Sequence, residues 1–302
     1  MTDTSRRDAL KCLGVGAGTL FTLSGGVFSA FDMAEAAPAD MGVPLFLQIS
    51  DTHIGFNKEA NPDVIGTLNR TIDAVNAMPH APAFALHTGD VTHLSKASEF
   101  DTASQLLSRL KVSELHVVPG EHDVTDGPGA EFFARFGQAS ASKGYYSFDA
   151  HGVHFIALVN VMNFKNNGLG ALGEDQLAWL KDDLSGRSAS QPVVVFAHMP
   201  LWTIYEPWGW GTGEGEEIAS LLRRFGSVTV LNGHIHQIVQ KVEGNILFHT
   251  ARSTAFPQPL AGDGPGPGPL VVPPAQLPGM LGVTMAVSGR KHRLSLNDTT
   301  LA

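Results

Sequence analysis

Thirteen histidines fall among 302 residues, and several sit beside Asp, Glu or Gly instead of inside apolar runs. Five short clusters stand out: Asp51-Thr52-His53, Gly89-Asp90, Gly120-Glu121-His122-Asp123, Ala197-His198-Met199-Pro200 and Gly233-His234-Ile235-His236. Carboxylates and imidazoles in this company are the donor set of a metal centre. With no thiolate among them they suit iron, manganese or zinc better than a soft metal. Residues two apart in extended backbone point to the same side, so Asp51 and His53 can face one point, as can His234 and His236. The glycines let the chain turn sharply away, so that these side chains project beyond the elements before them.

Each cluster follows an apolar run. Leu45 to Ile49 reads as a buried strand, and Ile65, Leu68, Ile72 and Val75 recur at helical spacing after it. A second strand, Ala83 to His87, leads to a helix marked by Phe100, Ala103, Leu107 and Leu110, then to a strand from Leu115 to Val118. Two βαβ units in succession imply a parallel sheet. Tyr145 to Asp149 and Val153 to Val159 read as a hairpin around His151-Gly152, and Leu177, Leu180 and Leu184 as a helix before the strand Val193 to Ala197. The runs Val228–Leu231, Ile238–Val242, Ile246–His249 and Gly282–Val287 are closely spaced and suggest a second sheet packed on the first. The fold class is therefore α/β. Strand ends converge at one edge of a parallel sheet, which lets clusters far apart in sequence share a site. Two stretches fit neither pattern: Trp202 to Gly215, with three of the four tryptophans, and the Pro- and Gly-rich Pro257 to Gly279. Both read as long loops of the kind that serve as lids.

In this order the clusters resemble the calcineurin-like metallophosphoesterase superfamily, from about Leu45 to His236. The family pattern is Asp-x-His, Gly-Asp, Gly-Asn-His-Asp, a lone His, and Gly-His-x-His. The resemblance implies two mixed β-sheets packed as a sandwich and flanked by helices, a four-layer α/β/β/α fold. It implies that Asp51, His53 and His236 hold one metal ion, that Glu121, His198 and His234 hold the other, and that Asp90 bridges them. The two ions would be iron and/or manganese, or zinc. The implied reaction is hydrolysis of a phosphate ester by a metal-activated hydroxide. His122 would assist the leaving group, with Asp123 orienting its ring.

Glu121 departs from the pattern, which has Asn there. Three carboxylates against two divalent cations leave a formal charge of +1, where the family pattern leaves +2. A phosphodiester, with one negative charge, is then favoured over a monoester, or one metal is trivalent iron. The alternatives are a phosphomonoesterase of the same fold and a non-catalytic metal or phosphoester binder in which Glu121 has quenched turnover. Retention of His122 and Asp123 speaks against the binder.

His93 stands three residues after Asp90, where purple acid phosphatases carry a tyrosine ligand to ferric iron, so by this resemblance the protein should not be purple. With the ligand set complete, His93 reads as a rim residue that contacts substrate in preference to the alternative of an eighth ligand. Arg252 is a candidate to neutralise phosphate, and Trp208 to stack a base or aromatic leaving group, a loop closing on its own side chains being the equal alternative for Trp208. His87 reads as a support behind the ligands, and His116, His151 and His154 as core residues.

Composition bounds the rest. A hydrophobic fraction of 43%, without a regular Gly or Pro repeat, excludes collagen-like, coiled-coil and wholly disordered chains. A net charge of −9 without a Lys/Arg cluster makes nucleic acid an unfavourable stable partner, leaving a small phosphate-ester substrate. Arg6-Arg7, followed by a weakly apolar stretch from Cys12 to about Phe31 and by Ala34-Glu35-Ala36, resembles a bacterial twin-arginine export signal over residues 1–36. Export by the twin-arginine translocase then places the protein in the periplasm or outside the cell; an uncleaved signal would anchor it to the membrane. Residues 43–302 read as a single domain. The only cysteine is Cys12, so the mature chain carries no disulfide.

Overall fold

The computed structural model describes residues 19–24, 27–32, 44–137, 143–165, 167–288 and 294–302. The chain divides into two units, residues 1–42 and 43–302. In the first, β1 (Thr19–Ser24) pairs antiparallel with β2 (Val27–Asp32). Arg6, Arg7 and Ala34-Glu35-Ala36 of the expected export signal lie outside the described residues.

The second unit opens with the two expected βαβ units. β3 (Pro44–Ile49), β4 (Phe84–His87) and β5 (Leu115–Val117) pair in parallel, connected by α1 (Val64–Asn76) and α2 (Ala97–Leu107). Asp63 caps α1 by accepting the Gly66 N–H at 2.8 Å. The helix buries Val64, Leu68, Ile72 and Val75, whereas Ile65 is 43% exposed. The buried stripe starts one residue earlier than expected, because Val64 and Leu68 form the i, i+4 pair that faces the sheet.

After α3 (Ala130–Phe136), β6 (Tyr146–Ala150) and β7 (Val153–Ala157) form the expected hairpin. His151 and Gly152 turn it with φ of +51° and +77°, the left-handed pair that a tight two-residue hairpin needs. A short ribbon of β8 (Asn163–Phe164) and β9 (Gly170–Ala171) follows, then α4 (Glu174–Ser185), β10 (Val193–Phe196), α5 (Gly215–Leu222) and β11 (Val228–Asn232). The chain closes with β12 (Gln240–Glu243), β13 (Ile246–Thr250), the one-turn α6 (Leu277–Met280), β14 (Gly282–Ser288) and β15 (Leu294–Thr300).

Two sheets result, in the orders β15-β14-β3-β4-β5 and β12-β13-β11-β10-β7-β6. Along β10, Val193 and Val195 face helices α4 and α5 while Val194 and Phe196 face the other sheet, the period-2 alternation of a strand buried on both sides. Phe46, Phe84, Phe155 and Phe196 fill the space between the sheets, and α1, α2 and α3 cover the outer face of the first. Each such side chain contributes about 1.5–3 kcal/mol by burial. These are the four α/β/β/α layers.

Two details differ from expectation. β14 was expected in the second sheet, yet it pairs antiparallel with β3, with Thr284 opposite Gln48. It covers the edge that β3 would otherwise leave open. β15 had no apolar pattern to announce it, since Leu-Ser-Leu-Asn-Asp-Thr-Thr is a mostly exposed edge strand. Among the described residues, no helix is long and apolar enough to cross a membrane.

Candidate metal centre

The five clusters lie immediately beyond the C-terminal ends of β3, β4, β5, β10 and β11, so the first sheet contributes three and the second two. The backbone there is unusual. Asp51, His53, Asp90, His234 and His236 have φ of +53°, +40°, +53°, +71° and +56°. Asp51 and His53 thus face one point through left-handed turns and not through the extended backbone expected. Such conformations cost about 1–3 kcal/mol each in a residue with a Cβ. Hydrogen bonds between the loops hold them: Asp51 N to Gly89 O at 3.0 Å, His53 N to Asp90 O at 2.9 Å and Gly233 N to His198 O at 2.9 Å. Gly120 has no room for a side chain, because a Cβ there would lie 2.0 Å from Asp90 Oδ1.

The side chains gather into the two trios that the resemblance implied. Asp51, His53 and His236 bring one ligand atom each within 4.8 Å of one another, as do Glu121, His198 and His234. His236 Nε2 lies 3.3 Å from Asp51 Oδ1 and 3.2 Å from His53 Nε2. His198 Nε2 lies 2.8 Å from Glu121 Oε2, and His234 Nδ1 lies 3.0 Å from Glu121 Oε1. Between the trios, Asp90 Oδ2 is 3.4 Å from both His53 Nε2 and His198 Nε2.

Backbone carbonyls set the rings. His198 Nδ1 donates to Thr88 O at 2.7 Å and His236 Nδ1 to Phe256 O at 2.5 Å, which leaves each Nε2 lone pair turned into the cluster. Among the described residues, Glu121 Oε2, His198 Nε2 and both ring nitrogens of His234 are buried without a hydrogen-bond partner despite their short separations. Such atoms cost about 1–3 kcal/mol apiece when nothing satisfies them. They aim at common points between the side chains and not along one another's lone pairs, and this donor set fits a pair of metal ions.

Electrostatics agree. Burial alone would raise the Glu121 pKa, but His234 and His198 outweigh it and hold the carboxyl well below its ordinary value. Asp51 is lowered in the same way, its burial being offset by His236 and His198. Burial, with His236, His122 and His93 nearby, keeps His53 well below an ordinary imidazole and therefore neutral, the state that ligates. For His198, burial is outweighed by Asp90 and Glu121, so the ring attracts a proton whose place a cation takes when bound.

His122 and Asp123 end up differently from one another. The His122 N–H donates to Asp90 Oδ1 at 2.9 Å, and its ring Nδ1 donates to His93 O at 2.8 Å, leaving Nε2 as the free ring nitrogen. Burial works to lower its pKa, but Asp90 and Glu121 raise it above the ordinary value. Asp123 does not orient this ring, contrary to expectation. Its carboxylate is filled by Val91 N, Thr92 N, Thr92 Oγ1 and Gly120 N at 2.8–3.0 Å, because the turn Glu121–Asp123 points it inward. It pins the Gly89-Asp90 loop to the Gly120-Glu121 turn. Burial and the Asp90 charge push it up to about 7, against the pull of those donors.

His93 stacks on His122, with ring centroids 4.8 Å apart, and approaches His53 on its Nδ1 side at 3.4 Å, away from the Nε2 that faces the trio. It therefore lies at the rim. His87 is a support: Gly89 N–H donates to its Nδ1 at 3.3 Å, so Nε2 carries the proton toward Thr52 Oγ1, which in turn donates to Val91 O. Burial lowers its pKa to about 4, which keeps it neutral. His154 is held between Asp149 and Asp183 at 3.0 and 2.7 Å and His116 stacks on Phe148 at 3.9 Å, whereas His151 is not a core residue as expected: it sits exposed on the hairpin turn, with its ring beside Phe84.

The cluster opens into a cavity of about 250 Å³ lined by His53, Asp90, Glu121, His122 and His234, with Lys58, His93 and Gln258 around them. Pro267, Gly268 and Pro269 of the long loop form part of its wall. Lys58 escaped the sequence reading; its signal was an isolated lysine five residues after His53, in the loop that carries a ligand pair. Arg252 and Trp208 are not brought to this cavity. Arg252 lines a neighbouring one, and Trp208 packs edge-on against Tyr205 and Trp210.

A family model described as calcineurin-like phosphoesterase matches residues 44–238, the span that holds every one of these ligands. The chain belongs to that family. Among curated proteins it is similar to purple acid phosphatase 23 of Arabidopsis thaliana, with 30% identity over 132 residues, 40% of this chain and 28% of that protein. The chain thus spans under a third of the length of that relative. Among solved structures it is similar to a dimetal phosphatase from Danio rerio, with a TM-score of 0.65 and 15% identity, covering 86% of this chain and 97% of the other. It is also similar to purple acid phosphatase PPD1 from yellow lupin (Lupinus luteus), with a TM-score of 0.63 and 12% identity, covering 85% of this chain and 51% of that one. At these identities the two structures establish the fold.

Proposed function

We propose that this protein hydrolyses phosphate esters with two bound metal ions and prefers diesters to monoesters. The observation that carries the reading is the meeting of two ligand trios on Asp90 Oδ2, with its 3.4 Å approach to a histidine of each. Asp51, His53 and His236 would hold one ion and Glu121, His198 and His234 the other. When bound, such ions stabilise charge on phosphoryl oxygens and acidify a water. His122 has its Nδ1 anchored on His93 O and its pKa raised, so Nε2 can carry a proton to the departing oxygen as the P–O bond breaks and an oxygen from water replaces it. Lys58 offers a positive charge at the same cavity for a phosphate oxygen.

Diester preference rests on Glu121. Its carboxyl is held in the ionised form by His234 and His198, so it adds a negative charge where the family pattern has a neutral amide, and a substrate with one charge is repelled less than a dianion. Paired aryl mono- and diesters test this. Glu121→Asn should shift the rate ratio toward the monoester by about tenfold, and an unchanged ratio sinks the charge argument. Metal analysis of the same preparations would identify iron, manganese or zinc. Arg6-Arg7 and Ala34-Glu35-Ala36 support export by the twin-arginine route to the periplasm or cell exterior; replacing both arginines with lysine should leave the protein inside the cell.

A further inference from the structure

A second cavity, of about 630 Å³, adjoins the metal cavity. Gln258 lines both, and His236 forms a wall of the second while its Nε2 faces the Asp51 trio. The size is that of a small-molecule site. Most of its wall is apolar, including Leu270, Met280 and Leu260, and Leu260 is 67% exposed at the lip.

Two polar groups in this lining each have one atom without a hydrogen-bond partner among the described residues. Arg252 is tethered by Nη1 to Met280 O at 3.2 Å and Gly279 O at 3.4 Å, but its Nε is buried with no hydrogen bond. Asp298 feels the Arg252 charge, yet its Oδ1 is taken up by Thr284 and His249. Asp263 also lines the cavity but is an exposed residue. Gln258 donates Nε2 to His234 O at 3.0 Å, which fixes the amide and leaves Oε1 buried and unpartnered. An acceptor at the boundary with the metal cavity and a cation among the apolar lining residues of the second thus each keep a buried atom unsatisfied.

We infer that this second cavity takes the organic arm of the substrate beyond the reacting phosphorus, and that the arm is amphipathic, apolar along Leu260, Leu270 and Met280 and ending in an anionic group at Arg252. This rests on the phosphodiester reading. Arg252 is then a specificity-determining residue, reading the far end of the substrate and not the reacting phosphate.

The test compares two alkyl aryl phosphodiesters whose alkyl arms end in a carboxylate or in its methyl ester, together with calorimetric titration of octanoate into the same protein. Wild type should show a KM about tenfold lower for the carboxylate arm and should bind octanoate. Arg252→Gln should erase both, with kcat and the KM for the methyl ester unchanged; Arg252→Lys should keep part of the preference. Met280→Trp, which fills the wall and spares the guanidinium, should weaken octanoate binding if Arg252→Gln fails to fold. A preference that survives Arg252→Gln, an equal rise in KM for both esters, or octanoate binding without any KM preference overturns the inference. If wild type hydrolyses neither ester, the phosphodiester reading fails, and octanoate binding still reports on the cavity separately.

Discussion

The backbone N–H of His122 donates to Oδ1 of Asp90 at 2.9 Å, and this leaves Oδ2 equidistant, at 3.4 Å, from His53 Nε2 and His198 Nε2. The residue proposed to protonate the leaving group therefore also orients the carboxylate proposed to join the two metals. Asp90→Asn keeps the shape but replaces one oxygen with an N–H₂ that cannot ligate. Metal content should fall from two ions per chain to one or fewer, and phosphoesterase rate by on the order of a thousandfold. Elemental analysis beside kinetics checks this; full metal content with normal turnover would remove Asp90 from the bridging role.

Asp123 makes a different prediction. Val91 N, Gly120 N, Thr92 N and Thr92 Oγ1 all donate to its carboxylate, so whichever way an amide is turned, one of its faces sets donor against donor. Asp123→Asn should cost about 1–3 kcal/mol in denaturant unfolding, and should leave the pH at which kcat falls with loss of the His122 proton unchanged. A shift in that pH with unaltered stability would restore Asp123 as the residue that orients the ring.

Gly120→Ala tests close approach. The added methyl would sit 2.0 Å from Asp90 Oδ1, and the same oxygen must stay within reach of the His122 N–H. The methyl would also meet the Asp90 backbone N, so the Gly89-Asp90 loop must shift together with its carboxylate, and metal affinity should drop by about 10–100-fold, the range for lost support of a ligand. Equilibrium dialysis would measure it, with circular dichroism confirming an intact fold.

Far from the metal centre, the buried His154 bonds Asp183 at 2.7 Å. Burial alone would raise the pKa of Asp183, but hydrogen bonds from His154 and Ser147 outweigh it and lower the pKa below the ordinary 3.8. A carboxylate lowered on folding contributes stability that is present above its unfolded pKa and is lost as pH falls through the folded one. Urea midpoints of the wild type should therefore drop between about pH 5 and pH 2, and Asp183→Asn should flatten that limb. A variant as acid-sensitive as wild type would place the effect on other carboxylates.

Chemistry was more legible in the chain than architecture. The clusters could be read because each combines ligand types with glycine behind an apolar run, and Asp51, His53, Asp90, Glu121, His198, His234 and His236 do gather. What the side chains of Asp123 and His122 bond to could not be read, since apart from Gly120 N their partners lie on Val91, Thr92 and His93, 29 or more residues away. Helices α3 and α5 went unanticipated because each is too short for its apolar period to repeat convincingly. The sheet membership of β14 depends on which strand edge is left uncovered, a property of the assembled fold and not of the segment.

Each ligand trio draws on both sheets: Asp51 and His53 follow β3 while His236 follows β11, and Glu121 follows β5 while His198 and His234 follow β10 and β11. Bound cations would then rivet the two halves of the sandwich together at one rim, as a disulfide does in chains that have one. The only cysteine of this chain is Cys12, so no such bond is open to residues 43–302. Chelation should consequently do more than silence a reaction: it should let the rims of the two sheets part, and amide exchange at the ends of β3, β4, β10 and β11 should quicken together.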